Sequence, residues 1–201
     1  MTGSALYAFD DAVRRRTGMP LVCGVDEVGR GCLAGPLIAA AVVIDTRARF
    51  PEEVCDSKCM TPRSRERVFP AIIRSAVSVG LSVIGTACIN RVGLAHANTT
   101  ALIRAADAAC GGRTDTAVMV DGLPLRGWNR PHEAVAHGDR YSAAIAAASV
   151  IAKVLRDRLM RRYDRIVPCY GFRRHVGYGT AYHRAAIQTY GVSEFHRYYA
   201  R

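Results

Sequence analysis

Two carboxylates stand side by side near the start of this 201-residue chain, in Cys23-Gly24-Val25-Asp26-Glu27-Val28-Gly29-Arg30-Gly31. Leu21 to Val25 is a short apolar run suited to a buried strand. It delivers Asp26 and Glu27 just ahead of a Gly-Arg-Gly turn. Successive strand side chains point to opposite faces, so both acids serve one site only where the strand begins to turn. Glycines let backbone approach a ligand closely, and the arginine between them suits phosphate recognition. Acids beside such a turn repel a nucleic-acid backbone unless a divalent cation stands between them. The combination points to metal-dependent phosphodiester chemistry. The alternative is a surface acidic pair before an ordinary turn.

Two further acids follow the same rule. Asp121 ends the run Ala117 to Val120, and Asp139 lies just past the run Glu133 to Ala136. If the first and fourth strands are sheet neighbours, Asp26, Glu27, Asp121 and Asp139 converge at one edge. Four hard oxygen donors there suit Mg²⁺ or Mn²⁺, and two ions bridging a scissile phosphate. Each acid taken singly also fits a turn or a cap; the grouping is what carries the chemistry. Asp157, in mid-helix among arginines, reads as an ion-pairing structural residue.

The elements that must position these acids alternate. The pattern predicts helices over Leu6–Arg16, from Thr61-Pro62 to Val77, over Asn90–Cys110, Tyr141–Tyr163 and Ala181–Tyr190. It predicts strands over Leu21–Val25, Leu37–Ile44, Gly80–Cys88, Ala117–Val120 and Glu133–Ala136. Thr61 with Pro62 is a cap followed by proline at the first helical position. Within Tyr141–Tyr163, Ile145, Ala148, Ala152, Leu155 and Leu159 share one face. Early strands followed by strand–helix alternation give an α/β fold with a five-stranded mixed sheet flanked by helices. The stretch 112–132, around Trp128, is a loop.

Half of the residues are hydrophobic, enough for one core. The net charge of +11 favours polyanionic partners. Seven cysteines without a CxxC pair, and six histidines without HxH or HExxH spacing, suggest neither a disulfide framework nor a zinc site. The first twenty residues lack an apolar h-region, and no apolar run reaches the ~18 residues of a membrane span. The expectation is a monomeric, cytoplasmic protein.

The string Gly24 to Gly31 with Ala34-Gly35-Pro36 resembles the opening signature of type 2 ribonuclease H, the bacterial ribonuclease HII family. Asp56-Ser57-Lys58, Val120-Asp121-Gly122, Gly138-Asp139, Ala147 to Val154, Tyr170-Gly171-Phe172 and His175 to Thr180 resemble further family blocks, in family order. The likeness spans roughly residues 20–199. It implies a ribonuclease H-like fold with a helical C-terminal segment. The chain would then be one catalytic domain, 1–201, with a core near 20–165 and a substrate-contacting segment at 166–201. It implies endonucleolytic cleavage of RNA paired with DNA, including nicking 5′ of single ribonucleotides in duplex DNA; no obligate protein partner is evident in the sequence.

Carried over by position, the metal-site acids fall on Asp26, Glu27, Asp121 and Asp139. Gly29, Arg30 and Gly31 match the turn that senses the 2′-hydroxyl. Tyr178 matches the tyrosine that stacks on the sugar next to the RNA–DNA junction, and Lys58 matches a phosphate-contacting lysine. Four positions depart from the family pattern: Val176 for lysine, Cys59-Met60 for Lys-Leu, and Gly93 for asparagine. The Arg173-Arg174-His175, His183-Arg184 and His196-Arg197 groups are candidates for tracking phosphates or form a solvated face. Lys153 is a candidate for reaching the acids or capping them electrostatically, and the histidines read as structural or surface residues. Two rivals remain: a DNA-directed nuclease of the same fold, and a silent hybrid-binding module.

Overall fold

The computed structural model describes residues 3–48, 50–51, 53–54, 57 and 59–198. Helix α1 (Gly3–Thr17) leads into β1 (Leu21–Val28) and β2 (Leu37–Ile44). Then come α2 (Pro62–Ser75), β3 (Ser78–Ile84), α3 (Thr86–Val92) and α4 (Leu94–Cys110). Strands β4 (Thr116–Asp121) and β5 (Glu133–Val135) precede α5 (Ala143–Ile166), α6 (Phe172–His175) and α7 (Ala181–Tyr190). Among the described residues, no helix is long and apolar enough to cross a membrane.

The five strands form one mixed sheet in the order β3-β2-β1-β4-β5. β2 runs antiparallel to both β1 and β3, whereas β4 is parallel to both β1 and β5. β2 is buried at every position, and its sequence LIAAAVVI lacks alternation because helices cover both sheet faces. Val22, Ile38, Ala40 and Val42 pack toward α5, while Cys23, Val25, Ala39 and Ala41 pack toward α4.

Alanines on α5 answer to crowding. Ala143 through Ala152 are all buried, so the first turns of α5 are enclosed on every side and not along one stripe. A Cβ on Gly24 of β1 would stand 2.1 Å from the Ile145 nitrogen; only glycine admits α5 this close. Ser142 caps the helix by accepting the Ile145 N–H at 3.1 Å.

Several boundaries differ from the pattern reading. β1 runs on to Val28, so Asp26 and Glu27 lie inside the strand and not past it. α2 stops at Ser75, and α5 runs on to Ile166. The strand predicted to reach Cys88 stops at Ile84, where Gly85 starts α3. The single helix predicted over Asn90–Cys110 is two, broken at Gly93 (φ 81°, ψ 155°), a backbone region open almost only to glycine. The glycine that departs from the family pattern is therefore the joint between α3 and α4. The long helix begins at Ala143, past its cap. In the 112–132 loop, the Trp128 indole N–H donates to Asp107 at 3.1 Å, tying the loop to α4.

Asp10 of α1 is buried and accepts the Ala144 N–H at the start of α5 (2.9 Å). Burial pushes its carboxyl up to about 7 despite the hydrogen bonds from Ser142 and Ala144. Such a carboxyl costs nothing below the unfolded-state value of 3.8, and its penalty grows as pH rises toward 7. We expect Asp10→Asn to be more stable than the parent at pH 8 by a few kcal/mol, since each tenfold change in proton affinity is worth about 1.4 kcal/mol. The advantage should vanish near pH 4. Denaturant midpoints across pH check this; equal pH slopes in the two proteins would refute it.

Candidate active site

The site opens where two parallel strands part. β1 pairs with β4 only as far as Val25↔Val120, but stays on β2 through Val28↔Ile38. Asp26 and Glu27 lie just past the last β4 pair, and Asp121 is the residue after Val120. Parallel pairing of distant segments thus places three acids at one notch. Asp26 sits on the α5 side, hydrogen-bonded by Ser149 and accepting the Glu27 N–H at 2.7 Å. Glu27 faces the α4 side and lines a cavity of about 460 Å³ with Arg30, Asn98 and Asp121. Asp121 Oδ1 accepts the Gly138 N–H at 2.7 Å, which fixes the turn Gly138–Arg140 carrying buried Asp139.

The electrostatics are those of crowded anions. Burial pushes the Asp26 carboxyl well above the usual carboxylate range, and Glu27 and Asp121 push it further. Glu27 rises by burial and by Asp121, opposed by the Arg30 guanidinium 3.3 Å away. A cation would relieve this repulsion, and all-oxygen donors fit Mg²⁺ or Mn²⁺. Among the described residues, no group of three or more His, Cys, Asp or Glu side chains stands close enough together to hold a metal ion unaided. Open arrays suit ions that keep water and phosphate oxygens as ligands.

Two buried arginines hold the flanking loops. The Arg156 guanidinium donates to the carbonyls of Pro36 (3.0 Å), Ala34 (3.0 Å) and Val176 (2.7 Å). Arg197 donates to Gly35 (3.2 and 3.0 Å) and to Arg30 (3.0 Å). Loop carbonyls buried away from water need such partners. Sequence reasoning passed over Arg156, although Ala152, Arg156 and Met160 share one buried stripe at i, i+4, i+8. An arginine in that stripe was the available signal.

The Gly-Arg-Gly turn divides its labour. Gly29 has φ 99°, and a Cβ there would press on Arg156 Nε at 2.4 Å; Gly31 has nothing within 4 Å of that position. Gly29 is thus required by packing, and Gly31 presents backbone to open space. Gly177 O accepts the Leu33 N–H (2.9 Å), joining this turn to the loop that presents Tyr178, whose residue is 41% exposed. Lys58 lies outside the described residues, as does Asp56. Ser57 between them hydrogen-bonds Ser149 through their hydroxyls at 2.7 Å, linking that block to Asp26.

Several expectations change. Lys153 ion-pairs with Asp157 at 2.8 Å and does not reach the acids; Arg65 stands 3.6 Å from the same carboxylate. Asp157 is the ion-pairing residue expected. Of the basic C-terminal groups, His175, His183, His196 and Arg197 are buried: the three rings bond backbone inside the segment, and the guanidinium bonds the Gly35 and Arg30 carbonyls. Arg173, Arg174 and Arg184 remain at the surface.

Val176, the departure from lysine, has φ 44° and ψ 37°. A β-branched residue in the left-handed region is strained, whereas asparagine visits it readily. We expect Val176→Asn to gain about 1 kcal/mol. Its Tm should rise by about 2–4 °C. A fall in Tm would mean that the half-buried isopropyl group outweighs the strain.

A profile of the family described as Ribonuclease HII matches residues 23–200. The chain is 43% identical over 194 residues to a ribonuclease HII of Pseudothermotoga lettingae, covering 96% of this chain and 82% of the relative. It is 46% identical over 180 residues to one of Parasynechococcus marenigrum, covering 88% and 80%. Among solved structures, the ribonuclease H2 of Pyrococcus horikoshii superposes with a TM-score of 0.74 at 24% identity, covering 88% of this chain and 92% of that one. Bst-RNase HIII in complex with Mn²⁺ gives 0.68 at 19%, covering 90% and 66%. These two likenesses are of fold.

Proposed function

Because the chain belongs to the ribonuclease HII family and is a metal-dependent endoribonuclease acting on RNA–DNA hybrids, we propose that it also nicks duplex DNA 5′ of single embedded ribonucleotides. Asp26, Glu27, Asp121 and Asp139 would hold two divalent ions, Mg²⁺ or Mn²⁺. When bound, such ions neutralise the scissile phosphate and supply an activated water.

The residues divide the remaining work. Asp26 and Asp121, on adjacent strand ends, would be the principal ligands, and Glu27 and Asp139 would complete the set. Ser149 holds the Asp26 carboxyl in place. The backbone of Gly29, Arg30 and Gly31 checks for the 2′-hydroxyl, the group that separates RNA from DNA. A deoxy analogue leaves such a polar site unpaired, which is the source of the discrimination. Tyr178 stacks on the sugar beside the junction, and Lys58 contacts a phosphate. Residues 20–165 form the catalytic core, and 166–201 lie against substrate. The products are a 5′-phosphate and a 3′-hydroxyl, and the protein works as a monomer.

The observation that carries this reading is a buried Asp26 crowded by two other carboxylates beside an open glycine turn. The test is duplex DNA with one ribonucleotide, incubated with Mg²⁺ or Mn²⁺. Nicking on the 5′ side is the expected result. Cleavage of all-DNA duplex, or binding without nicking, would refute it.

A further inference from the structure

Beneath the Tyr178 loop lie three histidines that the chemistry above does not use. His175 on α6, His183 on α7 and His196 in the C-terminal tail are 7%, 0% and 3% exposed. His175 and His183 stack with ring centroids 4.3 Å apart.

Their backbone partners dictate where each proton sits, since an amide N–H only donates and a carbonyl only accepts. His196 Nδ1 accepts the Ser193 N–H at 3.0 Å, so its proton is on Nε2. That proton is donated to His183 Nε2 at 3.1 Å. His183 therefore carries its own proton on Nδ1 and donates it to the Tyr178 carbonyl at 2.9 Å. His175 closes the arrangement by accepting the Gly177 N–H at Nδ1 (3.3 Å) and donating from Nε2 to Tyr170 O (2.9 Å). Burial pushes His196 down to about 4 and lowers His183 and His175 as well, so the rings are neutral at neutral pH.

The relay ends on Tyr178, a residue 41% exposed whose side chain hydrogen-bonds the buried Cys32 thiol. Tyr178 stands between Gly177 (φ 87°) and Gly179, the freest neighbours a chain offers. Its N–H donates to His175 O, and its carbonyl takes Thr180 N–H and His183 Nδ1–H, each at 2.9 Å. We propose that His183, oriented by His196, is a positioning residue that locks the Tyr178 main chain and so sets selectivity for the ribonucleotide junction. The proposal rests on the reading of Tyr178 as the sugar-stacking residue.

Paired amide substitutions separate this role from bulk packing. His183→Asn puts an amide N–H where Nδ1 was and keeps the donor to Tyr178. His183→Gln puts its amide near Nε2 and loses that donor. The readout is the ratio of kcat/KM on duplex DNA with one ribonucleotide to kcat/KM on a continuous hybrid. His183→Asn should stay within about twofold of the parent, and His183→Gln should lose about tenfold, the scale of one hydrogen bond. Tyr178→Ala should lose at least as much, and adding His183→Gln to it should cost nothing further.

Equal losses in the Asn and Gln variants, or a parental ratio in His183→Gln alongside a loss in Tyr178→Ala, would overturn the relay. An unchanged ratio in Tyr178→Ala would overturn the Tyr178 reading itself, and the proposal with it. Should His183→Gln fail to fold, His196→Asn removes the upstream donor and should give a smaller loss in the same direction. An unchanged ratio there overturns the proposal.

Discussion

Asp26→Asn should lose at least about 10³-fold in turnover, a barrier rise of roughly 4 kcal/mol, yet melt at a higher temperature than the parent. The two effects share one cause. Asp26 is buried with Glu27 and Asp121 as like-charged neighbours, so its ionised form is costly without a cation. Asparagine keeps an acceptor for the Glu27 N–H and Ser149 while removing one negative charge. Relief of repulsion should raise Tm by about 2–4 °C for each kcal/mol recovered, measured without divalent ions.

The cation response should move oppositely. Mn²⁺ at a hundred times its Kd should stabilise the parent by about 2.7 kcal/mol and leave the variant nearly unmoved. Asp121→Asn should likewise abolish nicking while hybrid binding persists. Near-normal turnover in Asp26→Asn, or a lowered Tm with the Mn²⁺ response intact, would place the metal site elsewhere.

Gly24→Ala should fail to accumulate as folded protein, although a single methyl is added two residues from the acids. That methyl would stand 2.1 Å from Ile145 N and 2.2 Å from Ala144 C, both backbone atoms. No rotamer can relieve such a contact, so α5 would have to withdraw from the sheet. Ser149 would leave Asp26, and the enclosed alanines Ala143 to Ala152 would lose their packing. We expect a loss above about 4 kcal/mol, the exceptional class for single substitutions. A typical domain has only about 5–15 kcal/mol to lose.

The control is close at hand. Gly31→Ala meets nothing within 4 Å and should fold with the parental denaturant midpoint, while losing activity if substrate backbone approaches there. A folded Gly24→Ala protein with the parental midpoint would refute the packing argument.

Helices and strands were readable along the chain because their periods, 3.6 and 2, are written in neighbouring residues. Thr61-Pro62 and Ala181–Tyr190 lie where the caps and apolar spacing put them. The acids stood out because each follows an apolar run. The break at Gly93 was hidden, since an alanine-rich stretch looks helical on both sides of a glycine whose φ only packing reveals. The inward turn of the C-terminal histidines, open between structural and surface roles, and of Arg197 was hidden for a related reason. Beside arginines they look like a solvated basic face, and nothing local says that they turn inward.

What the sequence determined alone was most of the elements and the acids near strand ends, whose oxygen donors are of the kind that suits hard cations. These follow from side-chain type and short-range spacing. The tertiary structure decided which elements meet. Parallel pairing of β1 with β4 puts Asp26 beside Asp121, ninety-five positions along the chain. Arg156 reaches the Pro36 carbonyl across 120 positions, and Arg197 reaches Gly35 across 162. Contacts of that range depend on how layers pack in three dimensions, and no short window of residues encodes them.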